Sequence, residues 1–227
     1  LDQSESKQRD VLIWGAGNVG EVVAYILSYD SHAQVRAFLD DSPTSRGKTI
    51  NGVPILAPDS ETLQGLARDG VTHGIVAIGN GRIREKLSQR LEEFGYAITT
   101  AIHPSAQISP EVQLGKGAII ASCVNLFYNP VIGNYVFMAP SVTVTHDSSI
   151  EDNAELCAGC LVGARVTVKK NAYIGIGALL VPKDFGHISV GEDAMVGTGS
   201  LVLEDVPPRA VVVGSPARII RYKSESD

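Results

Sequence analysis

Aromatic side chains are scarce in this chain. They make up 6 % of 227 residues, and tryptophan occurs once. That scarcity suits an interior narrow enough to take only slim side chains. Runs of lysine or arginine are missing, and the formal net charge is −6, which argues against a nucleic-acid or anionic-membrane partner. No apolar stretch is long enough to span a bilayer. The first residues, 1–10, are polar and charged, unlike a secretory leader, and are expected to form a flexible tail on a cytoplasmic protein. Cysteine is limited to three residues, an odd number that makes a disulfide framework unexpected. Cys157 and Cys160 form a CxxC, but no second pair supplies the remaining ligands of a zinc site, so no metal is expected.

A period of six dominates what is present. From Ile102 an aliphatic residue recurs at every sixth position through Ile108, Leu114, Ile120, Leu126, Ile132, Met138 and Val144. It continues through Ile150, Leu156, Val162, Val168 and Ile174 to Leu180 without a gap. The fifth residue of each hexad is mostly small or β-branched, as in Ala118, Val124, Val136, Val142, Ala154 and Ala172. A helix has a period of 3.6 and a half-buried strand a period of 2, so neither explains this pattern. A hexapeptide repeat predicts a parallel β-helix in which each hexad forms one side of a triangular coil. The aliphatic residue points inward, the small residue fits beside the corner, and each coil buries its faces only by stacking on the next. The register breaks after Leu180 and resumes at Val190, an excess of four residues that predicts a protruding loop over 183–186.

The residues before the repeats read differently. Val11-Leu12-Ile13-Trp14 is a buried strand that enters Gly15-Ala16-Gly17-Asn18-Val19-Gly20 and then an apolar-periodic helix over 21–29. GxGxxG between strand and helix allows a tight turn and close approach of a phosphate to the helix N-terminus. A second strand ends at Asp40-Asp41, twenty residues past Gly20, where a carboxylate can meet ribose hydroxyls. A short helix capped by Asp59 or Ser60, a strand over 74–78, a helix over 83–94 and a strand near 98–102 complete a small α/β unit. The expected organisation is therefore a tail at 1–10, a Rossmann-like βαβαβ domain at 11–102, and a β-helix at 103–227 with a C-terminal tail. The first domain is too short for both mononucleotide halves of a dinucleotide site. A single nucleotide moiety, such as a nucleotide-linked sugar, suits it better than NAD.

Five histidines occur. His32 and His73 read as solvated, His103 as structural beside Pro104, and His187 is left open beside the loop. His146 differs, because it stands two residues after the inward Val144 and directly before Asp147. A carboxylate beside an imidazole can hold one tautomer and stabilise the protonated ring.

Taken together, these segments resemble the NeuD/PglD-type sugar acetyltransferases. The matching residues are Gly15-Ala16-Gly17, Asp40-Asp41, Ala77-Ile78-Gly79-Asn80 with Arg84, Ile102-His103-Pro104, His146-Asp147, Ile174-Gly175 and Gly214-Ser215-Pro216-Ala217. The resemblance implies a homotrimer of left-handed β-helices with acetyl-CoA in the groove between subunits. It implies His146 as general base and Asp147 as its acidic partner. Glu155, Ala164, Ile176, Gly177, Thr198 and Gly199 would lie along the cofactor. Gly17, Asn18, Asp40, Asp41, Asn80 and Arg84 would bind the substrate, a nucleotide-linked 4-amino-deoxy sugar to be N-acetylated. O-acetylation of sialic acid or another sugar is the alternative within the class. Many relatives carry a glycine and a histidine where this chain has Asn18 and Val19, and some carry a second histidine where it has Glu155. From other classes, a γ-type carbonic anhydrase would need three convergent histidines for zinc. A NAD-binding oxidoreductase or nucleotide sensor would leave His146 without a role.

Overall fold

A computed structural model describes residues 8–45, 47–184 and 186–224, so residues 1–7 of the expected tail and Phe185 of the expected loop lie outside it. The chain divides into two compact units, Leu1–Ala101 and Ile102–Asp227.

The first unit is one sheet with helices between its strands. In chain order it comprises β1 (Arg9–Trp14), α1 (Asn18–Leu27), β2 (Ala33–Leu39), β3 (Thr49–Ile50), β4 (Val53–Leu56), α2 (Ser60–Arg68), β5 (His73–Val76), α3 (Gly81–Glu93) and β6 (Ala97–Ile98). The strand order is β3-β4-β2-β1-β5-β6, parallel except for the β3–β4 hairpin at the edge. Its turn, Asn51-Gly52, has positive φ at both residues, the geometry that a two-residue hairpin needs. Central β1 reads as a continuous apolar run because it is buried on both faces. It begins at Arg9, inside the stretch expected to be tail. The Arg9 N–H donates to the His32 carbonyl, its guanidinium pairs with Asp30, and the Asp10 carbonyl accepts from Thr72. Ladder bonds on both sides thus recruit two charged residues that local sequence alone would leave loose. α2 starts at Asp59, whose Oδ1 accepts the Thr62 N–H at 2.8 Å, an N-cap that stabilises a helix by about 1 kcal/mol.

The second unit is a left-handed parallel β-helix. Each coil has three short strands, which stack into three sheets. The first face includes Ile119–Ile120, Phe137–Met138, Glu155–Leu156 and Tyr173–Ile174. The second includes Asn125–Leu126, Thr143–Val144 and Leu161–Val162, and the third includes Val131–Ile132, Ser149–Ile150 and Val166–Val168. Neighbours in register stand eighteen residues apart, as in Leu126, Val144 and Val162. The hexad aliphatics from Ile120 to Leu180 are buried, and so are the fifth-position residues beside them. Ile102 is an exception at 41 % exposed, with Ile108 and Leu114 half-buried. An inward residue at the end of a stack has a neighbouring coil on one side only.

The corners explain the six-residue length. From Ile120 to Ile174, three residues after each inward aliphatic, the backbone enters the left-handed region. Cys123, Asn129, Tyr135, Ser141, Asp147, Asn153, Gly159, Arg165, Asn171 and Gly177 all do so, with φ from 55° to 68°. One such residue per corner reverses the usual sense of a parallel crossover and closes a coil without a helix. After Leu180 the third-face pairing jumps from Val168 to Val190, which accommodates four extra residues at the corner between the second and third faces. The stack ends in a hairpin of Ala210–Gly214 against Ala217–Tyr222, turning through a cis Ser215–Pro216 bond. Among the described residues no helix is long and apolar enough to cross a membrane.

Candidate active site

The residues singled out by sequence fall in both units. In the first unit, β1 ends at Trp14 and the chain turns through Gly15-Ala16-Gly17 into α1. Gly15 has φ of 122°, and a Cβ there would stand 2.4 Å from the Ala77 carbonyl oxygen. A Cβ on Gly20 would stand 2.0 Å from the Gly15 carbonyl oxygen, so these two glycines are steric requirements of the turn. Gly17 has open space around it and caps α1 without a side-chain bond, which leaves first-turn N–H groups for a ligand. A cleft of about 560 Å³ opens here, lined by Gly17, Asn18, Asp40, Asp41, Ile78 and Gly79 among others. Asp40 is half-buried and already engaged: Oδ2 accepts the Ala16 N–H at 3.2 Å and Oδ1 the Ser42 N–H at 2.8 Å.

Asn80 and Arg84 do not line this cleft. Asn80 caps α3, its Oδ1 accepting the Ile83 N–H at 3.2 Å. Arg84 is buried at 1 % exposure, and Nη1 donates to the Ile78 and Gly79 carbonyls at 2.8 and 2.7 Å. The reason is positional: one turn into α3, a long cation reaches back under the loop and satisfies carbonyls that no strand pairs. Arg84 therefore shapes the cleft wall from behind, in place of the direct contact expected of it.

In the solenoid, Thr145, His146 and Asp147 turn the corner from the second face to the third. Asp147 takes the left-handed corner conformation, φ 55°, which a short polar side chain tolerates. His146 Nδ1 lies 2.9 Å from Asp147 Oδ2. An ionised carboxylate only accepts, so Nδ1 carries the proton, and in the neutral ring Nε2 keeps its lone pair. Both side chains are about half exposed, and Nε2 has no hydrogen-bond partner among the described residues. The corner itself is pinned, because the His146 carbonyl accepts the Arg165 N–H from the next coil at 3.2 Å. Ser148, buried at the fifth hexad position, donates to the Gly163 carbonyl at 2.8 Å. Sequence reasoning passed over Ser148. Its signal was there, a hydroxyl in a column otherwise dominated by alanine and valine.

Ala164 sits eighteen residues after His146, on the same edge one coil on. The other cofactor candidates lie elsewhere on the coil. Glu155 is on the first face, between Phe137 and Tyr173 in the ladder. Ile176, Gly177, Thr198 and Gly199 stack on the edge between the first and second faces, where the Gly199 N–H donates to the Ile176 carbonyl at 2.8 Å. Nothing occupies the space where a Cβ on Gly177 or Gly199 would point. A single chain thus keeps this lane and His146 on different edges of the triangle. Beside Glu155, a hydrogen bond joins the Cys157 thiol and the Tyr173 hydroxyl; it pushes the Tyr173 phenol up to about 12, with burial adding to it.

Other histidines and cysteines have local partners or surroundings of their own. His103 is buried with Nδ1 2.8 Å from Ser105 Oγ, and His187 Nε2 is 2.8 Å from Thr167 Oγ1. His73, partly buried, pairs with Thr72, and burial lowers its pKa. Cys160 is fully buried in the hexad interior, whereas Cys157 is only partly so, and both are free thiols. Burial pushes the Cys160 thiol up to about 12. No group of three histidine, cysteine or acidic side chains among the described residues could hold a metal ion.

A coil of hexads carrying an exposed histidine–aspartate pair on its edge is the architecture of a hexapeptide-repeat acyltransferase. Residues 10–91 match the PglD N-terminal domain family. GDP-perosamine N-acetyltransferase of Escherichia coli O157:H7 is 29 % identical over 94 % of this chain and 97 % of its own length. A crystal structure of GDP-perosamine N-acetyl transferase from Caulobacter crescentus, a histidine-to-alanine mutant in complex with CoA and GDP-perosamine, is 30 % identical. It covers 93 % of this chain and 97 % of its own, with a TM-score of 0.86. The acetyltransferase domain of PglB from Neisseria gonorrhoeae, in complex with acetyl coenzyme A, is 25 % identical over 94 % and 100 % of the two chains, with a TM-score of 0.84. The chain belongs to the NeuD/PglD-type family of sugar acetyltransferases.

Proposed function

We propose that this protein transfers the acetyl group of acetyl-CoA to the amino group of a nucleotide-linked amino-deoxy sugar, with His146 as general base. The observation that carries this reading is the His146–Asp147 pair, one hydrogen bond of 2.9 Å with Nε2 left free on an exposed edge. Support comes from relatives named for GDP-perosamine N-acetylation, which match nearly the full chain. The N-terminal unit is the nucleotide-sugar domain in this reading. Asp40 and Asp41 offer carboxylates to hydroxyl or base N–H donors, and Gly17 and Asn18 offer first-turn amides to phosphate.

The reaction needs a neutral amine. The amine nitrogen attacks the thioester carbonyl, and His146 Nε2 takes the proton that nitrogen loses. The C–S bond then breaks, and the imidazolium returns the proton to sulfur, giving free CoA and the amide. Asp147 stabilises the intermediate imidazolium and holds the ring so that Nε2 faces the acceptor. The acetyl-CoA lane is the edge of Ile176, Gly177, Thr198 and Gly199, with Glu155 and Ala164 bordering the site. Because that lane and His146 occupy different edges of one coil, a second copy must bring its lane to the His146 edge. A cytoplasmic homotrimer with a site at each interface satisfies this.

The test is release of free thiol from acetyl-CoA with UDP-, dTDP- and GDP-linked 4-amino sugars, with sialic acid alongside. Turnover of one nucleotide-linked amine is the expected result and identifies the base. Turnover of sialic acid alone would instead establish an O-acetyltransferase.

A further inference from the structure

We propose that Tyr128 and Phe127 form the acceptor platform of the active site, receiving the apolar face of the sugar ring beside His146. This rests on the acetyltransferase reading above and deepens it.

The two rings are out of character for this chain. Its aromatics are few, yet Tyr128 is 62 % and Phe127 57 % exposed, the two most exposed large rings among the described residues of the solenoid. Their place explains the exposure. Leu126 pairs in register with Val144, and the Phe127 N–H donates to the Val144 carbonyl at 3.0 Å. Two residues beyond Leu126 is Tyr128, and two beyond Val144 is His146. Tyr128 therefore holds the same corner position as His146 one coil earlier, a rise of about 4.8 Å. Phe127 likewise holds the position of Thr145.

The coil on the other side is the opposite in character. Gly163 and Ala164 hold the positions of Thr145 and His146 there. A side chain at Gly163 is ruled out, since its Cβ would stand 2.7 Å from the Leu180 carbonyl oxygen. His146 thus stands on an edge that is bare on one side and walled by two rings on the other. On the side of the preceding coil, away from His146, an open depression of about 550 Å³ adjoins the rings, lined also by Ile108, Ser109 and Asn125. The Tyr128 hydroxyl has no hydrogen-bond partner among the described residues, so it is available to a ligand.

A deoxy sugar is amphipathic. One face and its methyl group present C–H bonds, and its edge presents hydroxyls. Ring faces recognise the former and a phenol O–H the latter. Exposed contiguous apolar rings mark a binding surface, and here they border the candidate base. The bare side is where the thioester has room to approach Nε2. The rings therefore set the height of the acceptor along the solenoid, so that its amine lies between Nε2 and the thioester.

The experiment is steady-state kinetics of the unmodified protein and of Tyr128→Phe, Tyr128→Ala and Phe127→Ala, with acetyl-CoA binding and sedimentation measured on each. Tyr128→Ala is expected to raise KM for the nucleotide-linked amine about tenfold, the loss typical of truncating a central aromatic contact, with kcat changed less. Tyr128→Phe should keep most of the affinity, and acetyl-CoA affinity should not move. An unchanged acceptor KM in Tyr128→Ala and Phe127→Ala would overturn the platform while leaving the acetyltransferase reading intact. Loss of acetyl-CoA affinity, or a changed sedimentation coefficient, would overturn it too, assigning the rings to the cofactor or to a contact between copies. Absence of turnover in the unmodified protein across all nucleotide-linked amines would overturn the underlying reading and the platform with it.

Discussion

At the scale of single residues, the proposed chemistry depends on one proton and one hydrogen bond. His146→Ala should leave a folded protein and lower kcat by about 10²–10⁴-fold, the usual contribution of a positioned base. Asp147→Asn should lose less and should shift the pH–rate profile, because an amide can accept from Nδ1–H but cannot neutralise the imidazolium. Turnover close to that of the unmodified protein in His146→Ala would remove it as the base. Cys160 makes a separate pH prediction. Its thiol is pushed from the ordinary 9.0 up to about 12 by burial, so the unfolded chain loses that proton first. Stability is then fully present below pH 9 and falls as pH rises toward 12, by up to about 1.4 kcal/mol per unit. Cys160→Ala places alanine at a fifth hexad position, as Ala178 already sits one coil on. Urea midpoints measured from pH 8 to 11 should decline less steeply in this variant than in the unmodified protein.

At the scale of the element, the corner is the unit that matters. Ser141 is an exposed corner residue with φ 62°, and its N–H donates to the Ser122 carbonyl. Ser141→Val keeps that bond but forces a β-branched residue into the left-handed region, which should cost about 1–2 kcal/mol by chemical denaturation. Ser141→Gly should be neutral or better, since glycine enters that region freely. The hexad period makes strands, corners and an inward row legible in the sequence. It did not reveal that the inward row opens at the terminal coil, leaving Ile102 exposed, because burial there depends on how many neighbouring coils exist. In the α/β unit the Asp59 cap and the glycine turn were legible, as both are local backbone requirements. The start of β1 at Arg9 was not legible, since its partners are His32 and Thr72, far along the chain.

At the scale of the whole molecule, the division of candidates between two edges has a measurable consequence. The unmodified protein should sediment at three times the 24.0 kDa of one chain. His146→Ala and Thr198→Trp should each be nearly inactive alone, the second because it fills the open lane. Unfolded together and refolded as a mixture, they should recover about a quarter of the sites, those pairing an intact His146 edge with an intact lane. No recovery in a mixed trimer would mean that each chain completes its own site.

The sequence by itself determined the two kinds of local structure here. A glycine turn after an apolar strand and an aliphatic at every sixth position are short-range steric facts, legible wherever a few residues decide the backbone. The His146–Asp147 pair was legible for the same reason, being adjacent in the chain. Tertiary structure alone decided that Arg84 lies buried behind the Ile78–Gly79 carbonyls. It also decided that Asp40 bonds the Ala16 amide and that Tyr128 stands one coil from His146. Those contacts join residues many positions apart, and which of them meet depends on how sheets pair and coils stack.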